Sequence, residues 1–309
     1  GILDCERRAI EMDGNNSMIE WFGGNWDEVP FEYHRNSAIY FADYSQSMHY
    51  NLQHLPIYLD FGVSEPHRTH AEEMYEILLG YNQNMWIDEE PTGSHGFSVM
   101  DEQHTCDWMS QFTLEFDPNY IKVNLDEPSR AYWAEAINQI DSLNFINIDV
   151  NRNIEGTNIN NFGNSDTLLL HILNQNFENY SLSIQNSIHK IGLTGNLINN
   201  LNYINIQSQD GLELEYTIEN NIIWLSYYGL PPYELPIQGD FIVNILFDEI
   251  LQGDVNQDGD CNVQDIILMI NHIIDADELN QEQIEIADLN GDNTLDVLDI
   301  IILINTIIN

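Results

Sequence analysis

Positive charge is scarce in this chain. Its 309 residues include 8 lysines and arginines against 51 aspartates and glutamates, which gives a formal net charge of −43. Nucleic-acid binding needs a basic footprint that neutralises phosphates, so this class of function is excluded. An anionic membrane surface would repel the chain for the same reason. Because the acids are spread along the whole sequence, we interpret them mainly as a solvated surface suited to salt water, which screens their mutual repulsion.

Cysteines and long apolar runs are also scarce. The three cysteines, Cys5, Cys106 and Cys261, are few and odd in number, so they do not form a disulfide framework. A single bridge between Cys5 and Cys106 is left as an open alternative. No run of 18 apolar residues exists, so no transmembrane helix is predicted. The chain also lacks a signal peptide and begins without a methionine, in a stretch, Gly1–Asp4, with the pattern of the end of a buried strand. We therefore expect the natural N-terminus to lie upstream.

Two oxygen-rich stretches of twelve residues lie near the end of the sequence. The second begins at Asp288, 34 residues after the first begins at Asp254. Such a loop wraps a hard cation: side-chain oxygens come from alternating positions, position 7 gives a backbone carbonyl, and position 6 makes a sharp turn. Gly259 and Asn293 stand at position 6, and both residue types tolerate a positive φ. The predicted metal ligands are Asp254, Asn256, Asp258, Asp260 and Asp265 in the first loop and Asp288, Asn290, Asp292, Thr294 and Asp299 in the second.

Each loop runs directly into an apolar segment with the pattern of a helix, from Ile266 and from Ile300. Two features depart from the ordinary EF-hand: position 12 is Asp instead of Glu, and no clear helix precedes either loop. With the duplication, they make residues 253–309 resemble a dockerin module. The resemblance implies two Ca²⁺ ions and, as partner, a cohesin-like domain of a scaffold or cell-surface protein. One such loop alone could be a chance acidic turn, but two in register make that improbable.

The resemblance also implies that loop positions 10 and 11 influence the choice of cohesin. These positions hold Val263-Gln264 and Val297-Leu298 instead of the Ser-Thr pairs common in cellulosomal dockerins. Two expectations stay open: the module binds a different receptor, or it packs against its own β-domain through its apolar helices.

Strand and helix signals alternate in residues 1–113. This order predicts a parallel sheet with helices on its faces, whose chemistry lies on the loops after the strands. Thr69 and Glu72 are spaced for a capping box at the start of the first helix. Glu65 and His95 both lie on loops that follow strands. The predicted strands are Pro56–Gly62 and Asn84–Asp88, and the predicted helices are Thr69–Leu79 and Asp101–Phe112.

The acid and the histidine on these loops have the order and spacing of a hydrolase site. An acid just after a strand, followed by a histidine in a glycine-flanked turn, is the second half of the nucleophile–acid–histidine order of α/β-hydrolases. The segment resembles the C-terminal half of a prolyl-oligopeptidase or esterase-type catalytic domain, whose strand-G-x-x-D-x-x-V-P stretch matches Phe61 to Met74. Glu65 then replaces the usual Asp. The resemblance implies that Glu65 orients His95, which takes the nucleophile's proton.

Other residues near Glu65 offer alternatives. Asp60 is a rival acid, but it lies inside the predicted strand and is expected to face the sheet. His67 and His70 are spaced for a metal on one helical turn, although we interpret them as an exposed helix start. No G-x-S-x-G elbow occurs in the chain; Ser64 and Ser94 are adjacent to Glu65 and His95 instead of on a separate turn. We therefore expect the nucleophile to lie before residue 1.

From about residue 116 the pattern changes to short strands separated by Asn, Gly and Ser turns. Regular short strands of this kind predict a β-sandwich over residues 114–248. The predicted strands are Tyr120–Leu125, Phe145–Val150, Leu168–Leu173, Tyr180–Ile184, Tyr203–Ile206, Leu212–Ile218, Ile222–Tyr228 and Phe241–Phe247.

The sequence thus predicts a multidomain chain: part of an α/β-hydrolase over 1–113, an all-β sandwich over 114–248 and a small all-α dockerin-like domain over 249–309. The favoured function is the C-terminal portion of a secreted serine hydrolase, a peptidase or an esterase, attached outside the cell or at its surface. Two alternatives stay open: a non-catalytic calcium-stabilised scaffold component, and a carbohydrate esterase in polysaccharide breakdown.

Overall fold

The computed structural model describes residues 3–12, 16–93, 100–208, 214–227, 229–230, 234–247 and 251–308. The chain divides into two compact units, one formed by residues 1–198 and 203–245 and the other by residues 199–202 and 246–309. Glu65 belongs to the larger unit, and both predicted calcium loops belong to the smaller one. His95 lies outside the described residues.

Helices and 3₁₀ turns occupy much of the first hundred residues. Leu3 and Asp4 do not form the predicted strand end. Instead Asp4 caps the first helix, because its Oδ1 accepts the N–H of Arg7 at 2.8 Å. Its Oδ2 accepts the N–H of Phe41 at 3.0 Å, so both oxygens of this buried carboxylate are satisfied. The helices are α1 (Cys5–Glu11), α2 (Ile19–Phe22), α3 (Pro30–Arg35), α4 (Arg68–Leu78) and α5 (Glu102–Met109), with 3₁₀ turns at Tyr44–Gln46 and His49–Leu52.

Two parallel strands flank α4. β1 (Ile57–Gly62) and β2 (Met85–Glu90) pair in parallel along their whole lengths, as the alternation of strand and helix predicted. The helix buries Met74 and Leu78 in a cluster that also contains Ile39. No larger parallel sheet is present in the part of 1–113 that the structure describes, so the hydrolase fold itself stays a prediction.

The prediction that Thr69 caps α4 is wrong. The helix begins at Arg68, and His67 is its N-cap residue without a side-chain capping bond. The backbone is already turning two residues earlier, because the carbonyl of Glu65 accepts the N–H of Arg68 at 3.3 Å.

The rest of the larger unit is β-rich. Its strands are β3 (Tyr120–Leu125), β4 (Arg130–Ala131), β5 (Ala134–Ala136), β6 (Ile146–Arg152), β7 (Gly156–Gly163), β8 (Thr167–His171), β9 (Phe177–Ile188), β10 (Lys190–Thr194), β11 (Leu201–Ser208), β12 (Leu214–Glu219), β13 (Ile222–Tyr227) and β14 (Ile237–Phe247). Among the described residues they form two six-stranded sheets, ordered β12-β13-β10-β8-β5-β4 and β11-β14-β9-β7-β6-β3. Buried and less buried residues alternate along β6 and β14, which is typical of a sheet with one covered face. The predicted sandwich-like β region is therefore confirmed.

An asparagine side chain covers β3, the edge strand of one sheet. The amide of Asn51 donates to the carbonyl of Asn124 at 2.8 Å, and its oxygen accepts the N–H of Asn124 at 2.9 Å. His54 Nε2 lies 2.7 Å from the carbonyl oxygen of Tyr120 on the same strand. An open edge is a template for pairing with other chains, so these side chains protect the sheet.

The smaller unit contains three helices among its described residues: α6 (Val263–Ile273), α7 (Gln281–Ala287) and α8 (Val297–Ile308). Its core consists of buried apolar side chains from the loops and from these helices. Met269 of α6 and Leu303 of α8 are fully buried there, so each helix turns one apolar stripe inward. The core residues are Val255, Met269, Ala287, Ile300 and Leu303.

The cysteines and the lengths of the helices bear on the expected disulfide and on membrane spans. All three thiols are free, so the Cys5–Cys106 bridge is not formed; Cys5 is buried while Cys106 is exposed. Among the described residues, the helices are too short or too polar to traverse a lipid bilayer.

Candidate calcium loops and a candidate catalytic edge

The first acidic loop folds around its own carboxylates. Asp254 accepts the N–H of Asp258 at 3.1 Å on Oδ1 and the N–H of Gly259 at 2.7 Å on Oδ2. Asn256 Oδ1 also accepts the Asp258 N–H, at 3.0 Å. Asp258 Oδ1 in turn accepts the N–H of Asp260 at 3.1 Å. Positions 1, 3 and 5 therefore all point their oxygens towards the inside of the loop.

The second loop repeats this pattern. Asp288 accepts the N–H of Asp292 at 3.3 Å on Oδ1 and the N–H of Asn293 at 2.8 Å on Oδ2. Asn290 Oδ1 accepts the Asp292 N–H at 2.8 Å, and Asp292 Oδ1 accepts the N–H of Thr294 at 2.9 Å. The same positions thus make the same bonds in both loops, which supports treating them as one duplicated site.

Position 12 joins each loop to its helix. Asp265 and Asp299 are both 0% exposed. Asp265 accepts the N–H of Asn256 at 3.0 Å on Oδ1 and that of Asn262, the N-cap of α6, at 2.8 Å on Oδ2. Asp299 likewise accepts from Asn290 at 3.1 Å and from Asp296 at 2.9 Å. Each carboxylate therefore closes a loop and caps a helix at once, a geometry that suits the short side chain of Asp.

Each loop has two residues in the left-handed region. Position 6 has φ of 93° at Gly259 and 64° at Asn293, as the sequence predicted. Position 4 also has a positive φ, 56° at Gln257 and 73° at Gly291, and sequence reasoning missed it. The glycine stands at position 6 in one loop and at position 4 in the other, which obscured the common backbone.

The donor chemistry of the loops fits calcium. Every predicted ligand is an oxygen, and Ca²⁺ takes six to eight oxygen ligands. The carboxylates of Asp254, Asp265 and Asp299 are 0–5% exposed. Buried carboxylates need a compensating cation, yet the sequence contains no lysine or arginine after Lys190. A bound divalent ion would supply the positive charge that the segment lacks. The residues fit this role, with Asp265 and Asp299 offering the oxygens deepest in each loop.

The turns that follow β1 and β2 lie side by side in the larger unit. Ser64 donates its backbone N–H to the carbonyl oxygen of Gly93 at 3.1 Å, and Val63 donates to that of Glu90 at 3.0 Å. Glu65 follows directly, half-buried, with its N–H bonded to the Gly62 carbonyl at 2.8 Å. The described residues thus bring the Glu65 turn next to Gly93, which precedes His95 by two positions in the sequence.

Asp60, the rival acid, has a less suitable environment. It lies inside β1 opposite Asp88. Burial, together with the charges of Asp88, Glu90 and Asp101, raises the pKa of Asp60. Asp60 also lies within the paired strand and not on the turn after it, where open α/β sheets place their functional loops.

Comparison with known proteins finds one family. Residues 252–308 match the family model of the dockerin type I domain. The smaller unit therefore contains a dockerin type I domain, and domains of this family bind calcium and cohesins. No curated protein and no solved structure matches the chain.

Proposed function

We propose that the C-terminal module attaches this protein, in a calcium-dependent manner, to a cohesin-like domain of a scaffold or cell-surface protein outside the cell. The observation that carries the proposal is the duplicated loop with a buried Asp at position 12, in a segment that matches the dockerin family. Each loop holds one Ca²⁺ in this proposal. The ligands would be the side chains at positions 1, 3, 5 and 12 and the carbonyls of Asp260 and Thr294.

The docking surface in this proposal is the outer face of α6 and α8. Both helices expose an apolar stripe with the same spacing, and the two stripes are related by the same 34-residue shift as the loops. An exposed apolar face of this kind on a small domain usually marks a protein partner. The stripe residues are 37–75% exposed. They are Val263, Ile267, Ile270 and the C-cap residue Ile274 of α6, and Val297, Ile301, Ile304 and Ile308 of α8.

The test is binding to a panel of type I cohesin domains with calcium and with EDTA. We expect binding by at least one cohesin in calcium and none in EDTA. The double variant Ile267→Asp/Ile301→Asp should lose it, whereas Ile154→Asp, at an 88% exposed apolar residue in the larger unit, should not. Binding that persists in EDTA, or that the double variant retains, would contradict the proposal.

A second function is favoured by the adjacency of the turns after β1 and β2. We propose that residues 1–113 belong to a serine hydrolase, peptidase or esterase, in which Glu65 orients His95 and His95 acts as the general base. Residues 114–248 form the β-sandwich region and 249–309 the attachment module in this division. The proposal requires a nucleophile that this sequence does not contain in a G-x-S-x-G motif.

The hydrolase proposal is tested on the longest natural form of the protein. We expect hydrolysis of a small ester, covalent labelling by a fluorophosphonate, and loss of ester hydrolysis in His95→Ala with the fold unchanged by circular dichroism. Activity in His95→Ala would remove this residue from the triad. A natural form with no reactive serine would favour the alternative, a non-catalytic scaffold component. Activity confined to acetylated polysaccharides would favour a carbohydrate esterase.

A further inference from the structure

Three side chains with metal-binding chemistry meet where the end of α1 contacts the start of α4. Oε1 of Glu11 lies 3.5 Å from Nε2 of His70, and Oε2 lies 3.5 Å from Nδ1 of His67. One ligand atom from each residue lies within 4.8 Å of the others. Ligands about 2.0–2.1 Å from a tetrahedral ion are themselves about 3.3–3.5 Å apart. Each imidazole therefore lies at a ligand-like distance from one oxygen of the same carboxylate, His70 from Oε1 and His67 from Oε2.

His70 is the deepest member of this cluster, and it is incompletely satisfied. Its side chain is 2% exposed, in contrast to the exposed helix start that the sequence predicted. Its Nδ1 has no hydrogen-bond partner among the described residues, and its Nε2 reaches Glu11 only at the 3.5 Å limit of a hydrogen bond. Because Nε2 is the ring nitrogen that faces Glu11, binding an ion there leaves the ring proton on Nδ1.

We propose that Glu11, His67 and His70 bind a zinc-class divalent cation. Two imidazoles and one carboxylate are the ligand set that Zn²⁺ favours, whereas Ca²⁺ takes oxygens alone. Glu11 is 37% exposed at its side chain and His67 is 22% exposed, so the fourth position of the ion opens to water. The site is thus chemically distinct from the oxygen-only loops of the smaller unit.

Two arginines lie near Glu11, but neither makes a short ion pair with it. Arg7 makes its short contact with Glu73, where Nη1 lies 2.8 Å from Oε2, and its Nε lies 3.4 Å from Oε1 of Glu11. Arg8 reaches Glu11 only at 4.0 Å. Glu11 can therefore ligate an ion while Arg7 keeps its closer partner.

The bound ion would connect two segments that are distant in sequence. Glu11 ends α1, while His67 is the N-cap of α4 and His70 lies in the first turn of that helix. Oε1 of Glu65 also accepts the backbone N–H of His67 at 3.3 Å, so the ion would stiffen the turn that carries Glu65. A ligand that binds only the folded state raises its stability by mass action.

The test is calorimetric titration of the full chain with Zn²⁺ in saturating Ca²⁺, which occupies the oxygen loops. We expect one saturable Zn²⁺ site and a rise in melting temperature. Glu11→Gln and His67→Ala, both at partly exposed positions, should each weaken Zn²⁺ binding by more than about tenfold. Substitution of a residue that only orients a metal ligand already lowers metal affinity by that much. His189→Ala, at an exposed histidine elsewhere, is the matched control and should bind as the wild type does.

A second measurement keeps the test independent of folding. Co²⁺ in the same site should show the visible absorption of a four-coordinate nitrogen-ligated ion, and His67→Ala should lose it. The absence of a saturable Zn²⁺ site would overturn the proposal. So would equal affinity in wild type, Glu11→Gln and His67→Ala, or a Co²⁺ spectrum typical of oxygen ligands only.

Discussion

The backbone N–H of Ser64 donates to the carbonyl oxygen of Gly93 at 3.1 Å. This bond joins the turn after β1 to the turn after β2, beyond the last paired residues Gly62 and Glu90. The carboxyl ends of parallel strands are where open α/β sheets place their functional loops. Glu65 therefore lies at an edge suited to chemistry, whereas Asp60 lies within the strand.

The identity of the acid gives the first prediction. In the natural form that carries the nucleophile, Glu65→Gln should lower kcat for ester hydrolysis by about 10³- to 10⁴-fold, because the histidine would lose its orienting carboxylate. Asp60→Asn, an equally conservative change in the same strand–turn segment, should leave kcat almost unchanged. A loss of activity in Asp60→Asn but not in Glu65→Gln would reverse the assignment.

Calcium removal should unfold the smaller unit. Asp265 and Asp299 are fully buried without a basic side chain in their segment, so an ion-free loop would hold uncompensated charge. At a calcium concentration of 100 times Kd, each site adds about 2.7 kcal/mol of stability. We expect EDTA to abolish one calorimetric transition and to leave that of the larger unit. An unchanged melting profile would argue strongly against ion-binding loops.

Single substitutions should remove one ion at a time. Asp265→Asn keeps the shape of the position-12 side chain but removes its charge, so the number of bound calcium ions should fall from two to one. Asp299→Asn should have the same effect on the second loop. Asp277→Asn, an exposed acid between α6 and α7, is the control and should keep both ions. Isothermal titration calorimetry counts the ions directly, and two ions in both loop variants would refute the assignment.

Two glycines with similar backbone conformations should respond differently to alanine. Gly253 has φ of 96°, and a Cβ there would meet Cδ1 of the fully buried Leu303 at 2.6 Å. Gly259 has φ of 93° and no atom within 4 Å of that Cβ position. Both variants carry backbone strain, but Gly253→Ala also overpacks the core, which adds about 1–3 kcal/mol. Denaturation of the smaller unit in calcium measures the difference, and equal losses would contradict it.

Lowering the pH should destabilise the larger unit, because the buried side chain of His49 becomes protonated. Burial, with a smaller effect of Lys122, lowers the pKa of His49 from 6.5 to about 4. The fold favours the neutral ring, whose Nδ1 lies 2.8 Å from Ser47 Oγ, so the stabilisation is complete above pH 6.5 and is lost as the pH falls towards 4. The full shift corresponds to about 3 kcal/mol. Urea denaturation at pH 5 and pH 7 should show a smaller difference for His49→Asn than for wild type. An equal difference in the two proteins would exclude His49 as the cause.

The strands of the β region were only partly predictable. β3 follows an apolar alternation and β13 is a continuous apolar run, and both were predicted, whereas β4, β5, β7 and β10 were missed. β7 reads G-T-N-I-N-N-F-G, and its asparagines resemble the turns around it. It becomes a strand because it pairs with β6 and β9 on its two sides, which is a tertiary effect.

By itself, the sequence determined where the two acidic loops lie and how their residues repeat, since the spacing of a predicted ion-binding loop lies within twelve consecutive residues. Only the tertiary structure decided that His70 is buried and faces Glu11, because 59 residues separate the two in the chain. It also decided that the turn before Glu65 bonds to Gly93, since strand pairing sets that contact. The spacing of residues within a short segment can be read from the sequence, whereas contacts between distant segments depend on how helices and strands pack.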